Sequence, residues 1–171
     1  KNLTDDTGLL QHAVYSVPNR HHGYCSDDNA RALQAVLMHF SLYRDETVLP
    51  LANTYLGFLH HAFDPGDKRF HNFMTYDRRW LEHEEGQDVH GRVINALGWA
   101  TDLAPNDSMR SLAVRLFQQS IESIDHFLSP RTQASAIIGI HIYLRKLPGD
   151  SLARRARSEL GWTPRPFPET L

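Results

Sequence analysis

The sequence predicts an all-α domain built from three helical hairpins standing side by side, and three observations carry that prediction. Apolar residues recur at helical spacing in six separate segments. Turn-forming clusters such as Asp64-Pro65-Gly66-Asp67, Ala104-Pro105-Asn106-Asp107 and Pro148-Gly149-Asp150 punctuate them. A short motif also repeats at an offset of 61 residues: Asp27-Asp28-Asn29-Ala30-Arg31-Ala32-Leu33 lies over Asp88-Val89-His90-Gly91-Arg92-Val93-Ile94. Both copies open the first helix of a pair, and in each the Asp and Arg stand four apart on one helix face. A polar motif kept at the same end of successive hairpins implies a stack or a ring whose chemistry lies on one side.

Each helix has its own local justification. Ser26-Asp27-Asp28 offers an N-cap and an acidic first turn, and Ala30, Leu33, Ala35, Val36, Leu37, Phe40 and Leu42 carry the first helix to about Tyr43. A second runs from about Thr47 to Phe63, with Pro50 in its first turn, where a missing N–H is harmless. Residues 68–87 break the pattern: Arg69 to Tyr76 and Trp80-Leu81 flank Asp77-Arg78-Arg79 as a small β-hairpin or an ordered aromatic loop near residues 69–81. Helical periodicity resumes from Asp88 to about Leu103, and a fourth helix is expected over Ser108 to Phe127. Ser129-Pro130 starts a fifth, largely apolar and therefore buried, to about Leu147; a sixth covers Ser151 to Leu160. The segment 161–171, rich in proline, reads as an extended tail on a single domain spanning 1–171.

Composition excludes several classes. A net charge of −2 in 171 residues gives no general drive onto nucleic acid or an anionic membrane surface. No apolar run is long enough for a membrane span. With no basic-then-apolar leader pattern at its start, the expectation is a cytoplasmic protein. Because the chain opens at Lys1, it is also expected to be a piece of a longer protein or a processed form. One cysteine, Cys25, supplies neither an internal disulfide nor a thiolate metal site. Eleven histidines are an unusual surplus, yet none stands in a recognised ligand spacing such as His-Glu-x-x-His, so no metal is expected. No glycine-rich phosphate loop or nucleophile elbow is present either, and no cofactor is expected.

Polar residues concentrate in three clusters: Asp5-Asp6-Thr7-Gly8 with His12 and Tyr15, the run Asn19 to Arg31, and Glu82 to Arg92. The bland reading makes Asp27 a helix cap, Glu82 to Glu85 a solvated loop, and His39, His60, His61, His126 and His141 surface or core residues. The sharper reading rests on density. From Arg20 to Arg31 the chain holds Arg, His, His, Tyr, Asp, Asp, Asn and Arg directly before an amphipathic helix. Carboxylates at helix starts with aromatic residues nearby (Tyr24, Phe73, Tyr76, Trp80) suit carbohydrate chemistry, which needs acid/base groups and flat apolar faces.

The stretches Thr4 to Ala13, Pro18 to Leu33, Phe70 to Leu81, Asp88-Val89-His90-Gly91-Arg92 and Ser129-Pro130-Arg131 resemble a group of bacterial domains that accompany or are fused to retaining glycosyltransferases. That resemblance implies part of a six-hairpin (α/α)6 toroid of the kind seen in glycosidases. The group's pattern carries an acid where this chain has Gln87. Its domains also run well past this length, so the chain corresponds to about half a ring. A half ring leaves one flank of apolar helix uncovered, and a homodimer or an adjoining segment is expected to cover it.

The expected function is that of a carbohydrate-active domain hydrolysing or phosphorolysing a glycosidic bond. The alternative is a non-catalytic glycan-binding or scaffolding module serving a glycosyltransferase. Asp28 and Asp88 are the acid/base candidates with Glu85 in reserve. His22, Tyr24, Asp27, Arg31, Trp80, His90, Arg92 and Arg131 are expected to line the sugar site. Charge repulsion beside Asp27 favours a proton on Asp28, while the helix dipole and Arg92 favour an ionised Asp88. If the two motif copies are equivalent, Asp28 and Asp88 lie at the same end of the helical layer, on one concave surface with His22 and Tyr24.

Overall fold

The computed structural model describes residues 2–81 and 86–161. Among them, six α-helices form three hairpins: α1 (Ser26–Tyr43) with α2 (Leu49–Ala62), α3 (Gln87–Leu103) with α4 (Asp107–Ser120), and α5 (Pro130–Lys146) with α6 (Ser151–Glu159). Helix α3 packs against both α1 and α5, so the odd-numbered helices make one layer; α2, α4 and α6 back them in a second. Arg92 on α3 reaches Asp27 on α1 at the helix starts, and Arg145 on α5 stands 3.9 Å from Asp102 on α3 near the helix ends. The three inner helices are therefore parallel, and all three N-termini open on the same side. This is a partial (α/α) toroid.

Helix ends follow the expected chemistry with two corrections. Asn106 caps α4 through Met109 N–H at 2.9 Å, Ser129 caps α5 ahead of Pro130, and Asp150 caps α6 through Ala153 N–H. Ser26, by contrast, does not cap α1. It is the first helical residue, and its hydroxyl donates to the carbonyl of His71. The fourth helix also stops at Ser120 instead of running to Phe127. A 3-10 turn over Ile121–His126 follows, with Ser123 outside helical geometry. The Ser123 hydroxyl lies 3.0 Å from the Lys68 carbonyl and 2.9 Å from the His90 ring. Those tertiary bonds compete with continuing the helix.

Six two-residue strands flank the helices: β1 (Ala13–Val14), β2 (Val17–Pro18), β3 (Tyr24–Cys25), β4 (Phe63–Asp64), β5 (Arg69–Phe70) and β6 (Phe73–Met74). They pair antiparallel as β1 with β2, β3 with β6, and β4 with β5. The aromatic stretch thus carries small antiparallel structure, closed by a bridge between Met74 and Trp80. Gly23 makes the β3–β6 pairing possible. It sits at φ 61, and a Cβ there would stand 2.0 Å from the Met74 carbonyl oxygen. Residues 162–171, read from sequence as an extended tail, lie outside the described residues.

The core runs between the two helical layers and includes Leu33, Leu37, Leu59, Ile94, Leu97, Phe117, Ile140 and Tyr143. Its tightest seam is α3 against α5, where glycine meets glycine. A Cβ on Gly98 would lie 2.2 Å from the Gly139 carbonyl oxygen, one on Gly139 would lie 2.5 Å from the Asn95 Cα, and one on Gly91 would lie 2.7 Å from the Thr132 carbonyl oxygen. These obstacles are backbone, which has no rotamer to escape into. Gly98→Ala is expected to lower stability by at least about 2 kcal/mol in urea titration. Gly57→Ala, on the exposed face of α2 with nothing within 4 Å, is the matched control and should gain about 0.5–1 kcal/mol.

Candidate functional site

Where the inner helices start, their side chains line an open groove of about 380 Å3. Helix α1 contributes Arg31 and Gln34, α3 contributes Asp88, Arg92 and Asn95, and α5 contributes Arg131, Ser135 and Ile138. Behind this lining, Asp27 accepts two bonds from Arg31, from Nε at 3.1 Å and from Nη2. Its Oδ1 also stands 3.3 Å from the Nε of Arg92. One carboxylate thereby braces guanidinium groups from two neighbouring helices.

The two acid/base candidates occupy contrasting environments. Asp28 is half-buried, and burial raises its proton affinity above the ordinary carboxylate value; Arg31 opposes that shift and the repulsion from Asp27 adds to it. Repulsion was the expected cause, but desolvation is the larger one. Asp88 is more open and is held the other way. Thr132 donates its hydroxyl to Asp88 Oδ1 at 2.5 Å, Ser129 donates at 3.3 Å, and Arg131 Nη1 stands 3.8 Å from Oδ2. These bonds, Thr132 foremost, keep the Asp88 carboxyl below the usual range. Arg92 favours the ionised Asp88 through its charge, as expected, but as a smaller contributor, and its ion pair is with Asp27 on α1.

Asp27, Arg31, Asp88, Arg92 and Arg131 are thus brought together; Asp28, in the first turn of α1 next to Asp27, stands outside the groove lining. Four other expected site residues stand elsewhere. Tyr24 is 1% exposed. Its hydroxyl donates to Asp5 at 2.7 Å and its ring lies between Phe58 and Tyr76; burial and Asp5 push its pKa up to about 12. It is a strut for the N-terminal segment, with no face left for a sugar. His90 is buried as well, 3% exposed, between Phe70 and Phe127. Its Nε2 stands 3.0 Å from the Ser120 carbonyl, so it belongs to the packing between α3 and the end of α4. Trp80 joins Phe58, His61 and His71 in an aromatic cluster against α2, away from the groove lining. His22 is exposed with its ring edge against His12, and it too is outside the groove lining. Glu85 lies outside the described residues.

Gln34, Asn95, Ser135 and Ile138 line the groove without having been anticipated. A signal existed for the first two. Gln34 and Asn95 stand three residues after Arg31 and Arg92, so the 61-residue repeat extends by one more helical turn, carboxamide over carboxamide. Ser135 and Ile138 had none, because α5 carries no copy of the motif. Gln87, where an acid was expected, plays a structural part. Its Oε1 accepts from the backbone N–H of Leu128 at 2.8 Å and of Ser129 at 3.3 Å, and so holds the start of α5. Among the described residues no group of His, Cys, Asp and Glu has the arrangement of a metal site. No described helix is long and apolar enough to cross a membrane.

No protein-family model and no curated protein matches the chain. In three dimensions it is similar to a solved polysaccharide lyase, with a TM-score of 0.63 and 12% sequence identity over 85% of this chain and 49% of that one. The chain therefore spans about half the length of that lyase. At such low identity the likeness is one of fold.

His90 generates a prediction of its own. Burial lowers its pKa from 6.5 to about 4, so the folded state keeps it neutral. Below pH 6.5 the unfolded chain takes up a proton that the folded chain refuses, and stability falls as the pH drops toward 4. Urea midpoints measured from pH 7 down to pH 5 should decline, against the opposite pull of Asp28, with a His90 contribution of about 2 kcal/mol across that window. A flat profile across that window would place His90 in a solvated setting.

Proposed function

We propose that the groove at the N-terminal ends of α1, α3 and α5 is a saccharide site and that the chain is a carbohydrate-active domain. In this reading Asp88, on the groove lining, is the base for hydrolysis or phosphorolysis of a glycosidic bond, and Asp28, at the same end of α1 but outside the lining, is the proton donor that a bound saccharide must reach. The observation that carries it is the divergence of the two carboxylates. They stand on adjacent parallel helices, at the same end, and their surroundings push their proton affinities in opposite directions. Separated acid and base assignments of this kind are what bond cleavage at a sugar requires. Gln34, Asn95 and Ser135 supply neutral donors and acceptors for hydroxyl groups, and Ile138 supplies apolar surface. The fold shared with a polysaccharide lyase supports a saccharide ligand.

A second reading, a glycan-binding or scaffolding module beside a glycosyltransferase, is favoured by the chain's spanning only about half of its structural neighbour. An adjoining segment or a second copy would then stand against the flank of α5, where Ile138 is 48% exposed.

Incubation with a panel of oligosaccharides, read by product release and by calorimetry, separates the two. Catalysis predicts products from at least one glycan. Asp88→Asn, which keeps an oxygen acceptor for Thr132, should change stability by no more than about 1 kcal/mol. It should lower turnover by on the order of 100-fold or more. Binding without product supports the glycan-binding module, and neither binding nor product from neutral and acidic glycans alike ends the saccharide reading.

A further inference from the structure

Resting on the saccharide reading, we propose that the ligand is an acidic polysaccharide, held at two cationic poles: the Arg31–Arg92 pair braced by Asp27, and Arg131. The groove lining carries three guanidinium groups and one carboxylate, that of Asp88. A neutral glycan needs donors and acceptors in balance, and this lining is heavily biased to charged donors. Each guanidinium has five N–H groups in a planar fork suited to a carboxylate or sulfate ester. Asp27 holds Arg31 by two hydrogen bonds, which fixes the plane of that guanidinium in advance, and stands 3.3 Å from the Nε of Arg92, so that the pair keeps a net positive charge. Its own side chain is only 21% exposed, so it acts from behind the groove. Arg131 is 75% exposed on the neighbouring helix, with Asp88 as its carboxylate at 3.8 Å. The starts of three parallel helices add their positive dipole ends to the same side.

The geometry also distinguishes a polymer from a single acidic sugar. The braced pair bridges α1 and α3, and Arg131 belongs to α5. Packed helix axes lie roughly 8–10 Å apart, so a ligand with one anionic group engages one pole. A chain bearing several engages both, and the second contact is made at a raised effective concentration.

The closing experiment measures affinity by calorimetry for tetragalacturonate, its fully methyl-esterified form, galacturonate monomer and a heparin-derived tetrasaccharide. Tetragalacturonate or the heparin fragment should bind at least ~10-fold more tightly than the uncharged ester, the scale of one charge-assisted contact. The preference should weaken as salt rises, and the monomer should bind more weakly than its tetramer. Arg131→Gln, a change at an exposed side chain, should narrow the gap between acid and ester by ~10-fold, and Arg92→Gln should do the same. Equal affinity for acid and ester overturns the inference and leaves the saccharide reading standing. A gap untouched by Arg131→Gln also overturns it, since the anion then binds elsewhere. Failure of all four probes, and of the neutral panel above, removes the saccharide reading itself.

Discussion

The backbone contact between α3 and α5 is the constraint on which the site depends. Gly98 against Gly139, and Gly91 against Thr132, let two helices approach more closely than any side chain would permit. Close approach along the whole seam sets the register. With α5 seated at that register, the Thr132 and Ser129 hydroxyls meet Asp88, and the Oε1 of Gln87 meets the backbone at the start of α5. The groove lining from α5 is therefore positioned by glycines that adjoin it, Gly91 beside Arg92 and Gly139 beside Ile138.

Gathering three helix N-termini and three arginines on one side concentrates positive charge, and the aspartates relieve it in a relay between helices. Asp27 binds Arg31 within α1 and Arg92 on α3, and Asp88 on α3 faces Arg131 on α5. Each carboxylate thus links one inner helix to the next. Exposed ion pairs contribute little stability individually. Their larger consequence here is orientation, since a guanidinium held at its Nε edge presents the rest of its fork in a fixed plane.

Part of the polar density around the start of α1 is architectural. Asn29 is buried and accepts from Leu9 N–H at 2.8 Å while donating to the Cys25 carbonyl at 2.9 Å. Asp5 accepts from Tyr24 and from the backbone N–H groups of Thr7 and Gly8. Ser26 bonds to His71, and Cys25 stands 3.2 Å from the Asn72 side chain. These bonds fasten the segment from Asp5 to Cys25 onto the domain, where irregular backbone must satisfy its polar groups without a helix.

Periodicity and turn chemistry alone determined the six helices, five of them to within a few residues at each end, because amphipathic spacing and capping are local properties. The repeat of Asp and Arg at 61 residues placed two helix starts on one side, and it held, unread, the carboxamides Gln34 and Asn95. Tertiary packing decided the rest. It buried Tyr24 and His90, which look in sequence like any exposed polar residue beside a motif, because the opposite face of their own segment had to meet the core. It ended α4 at Ser120, where Ser123 found partners in Lys68 and His90 that no local rule anticipates. It also paired Arg92 with Asp27 in place of Asp88. Which carboxylate a guanidinium reaches depends on how neighbouring helices pack, and the packing of α1 against α3 brings Asp27 to Arg92.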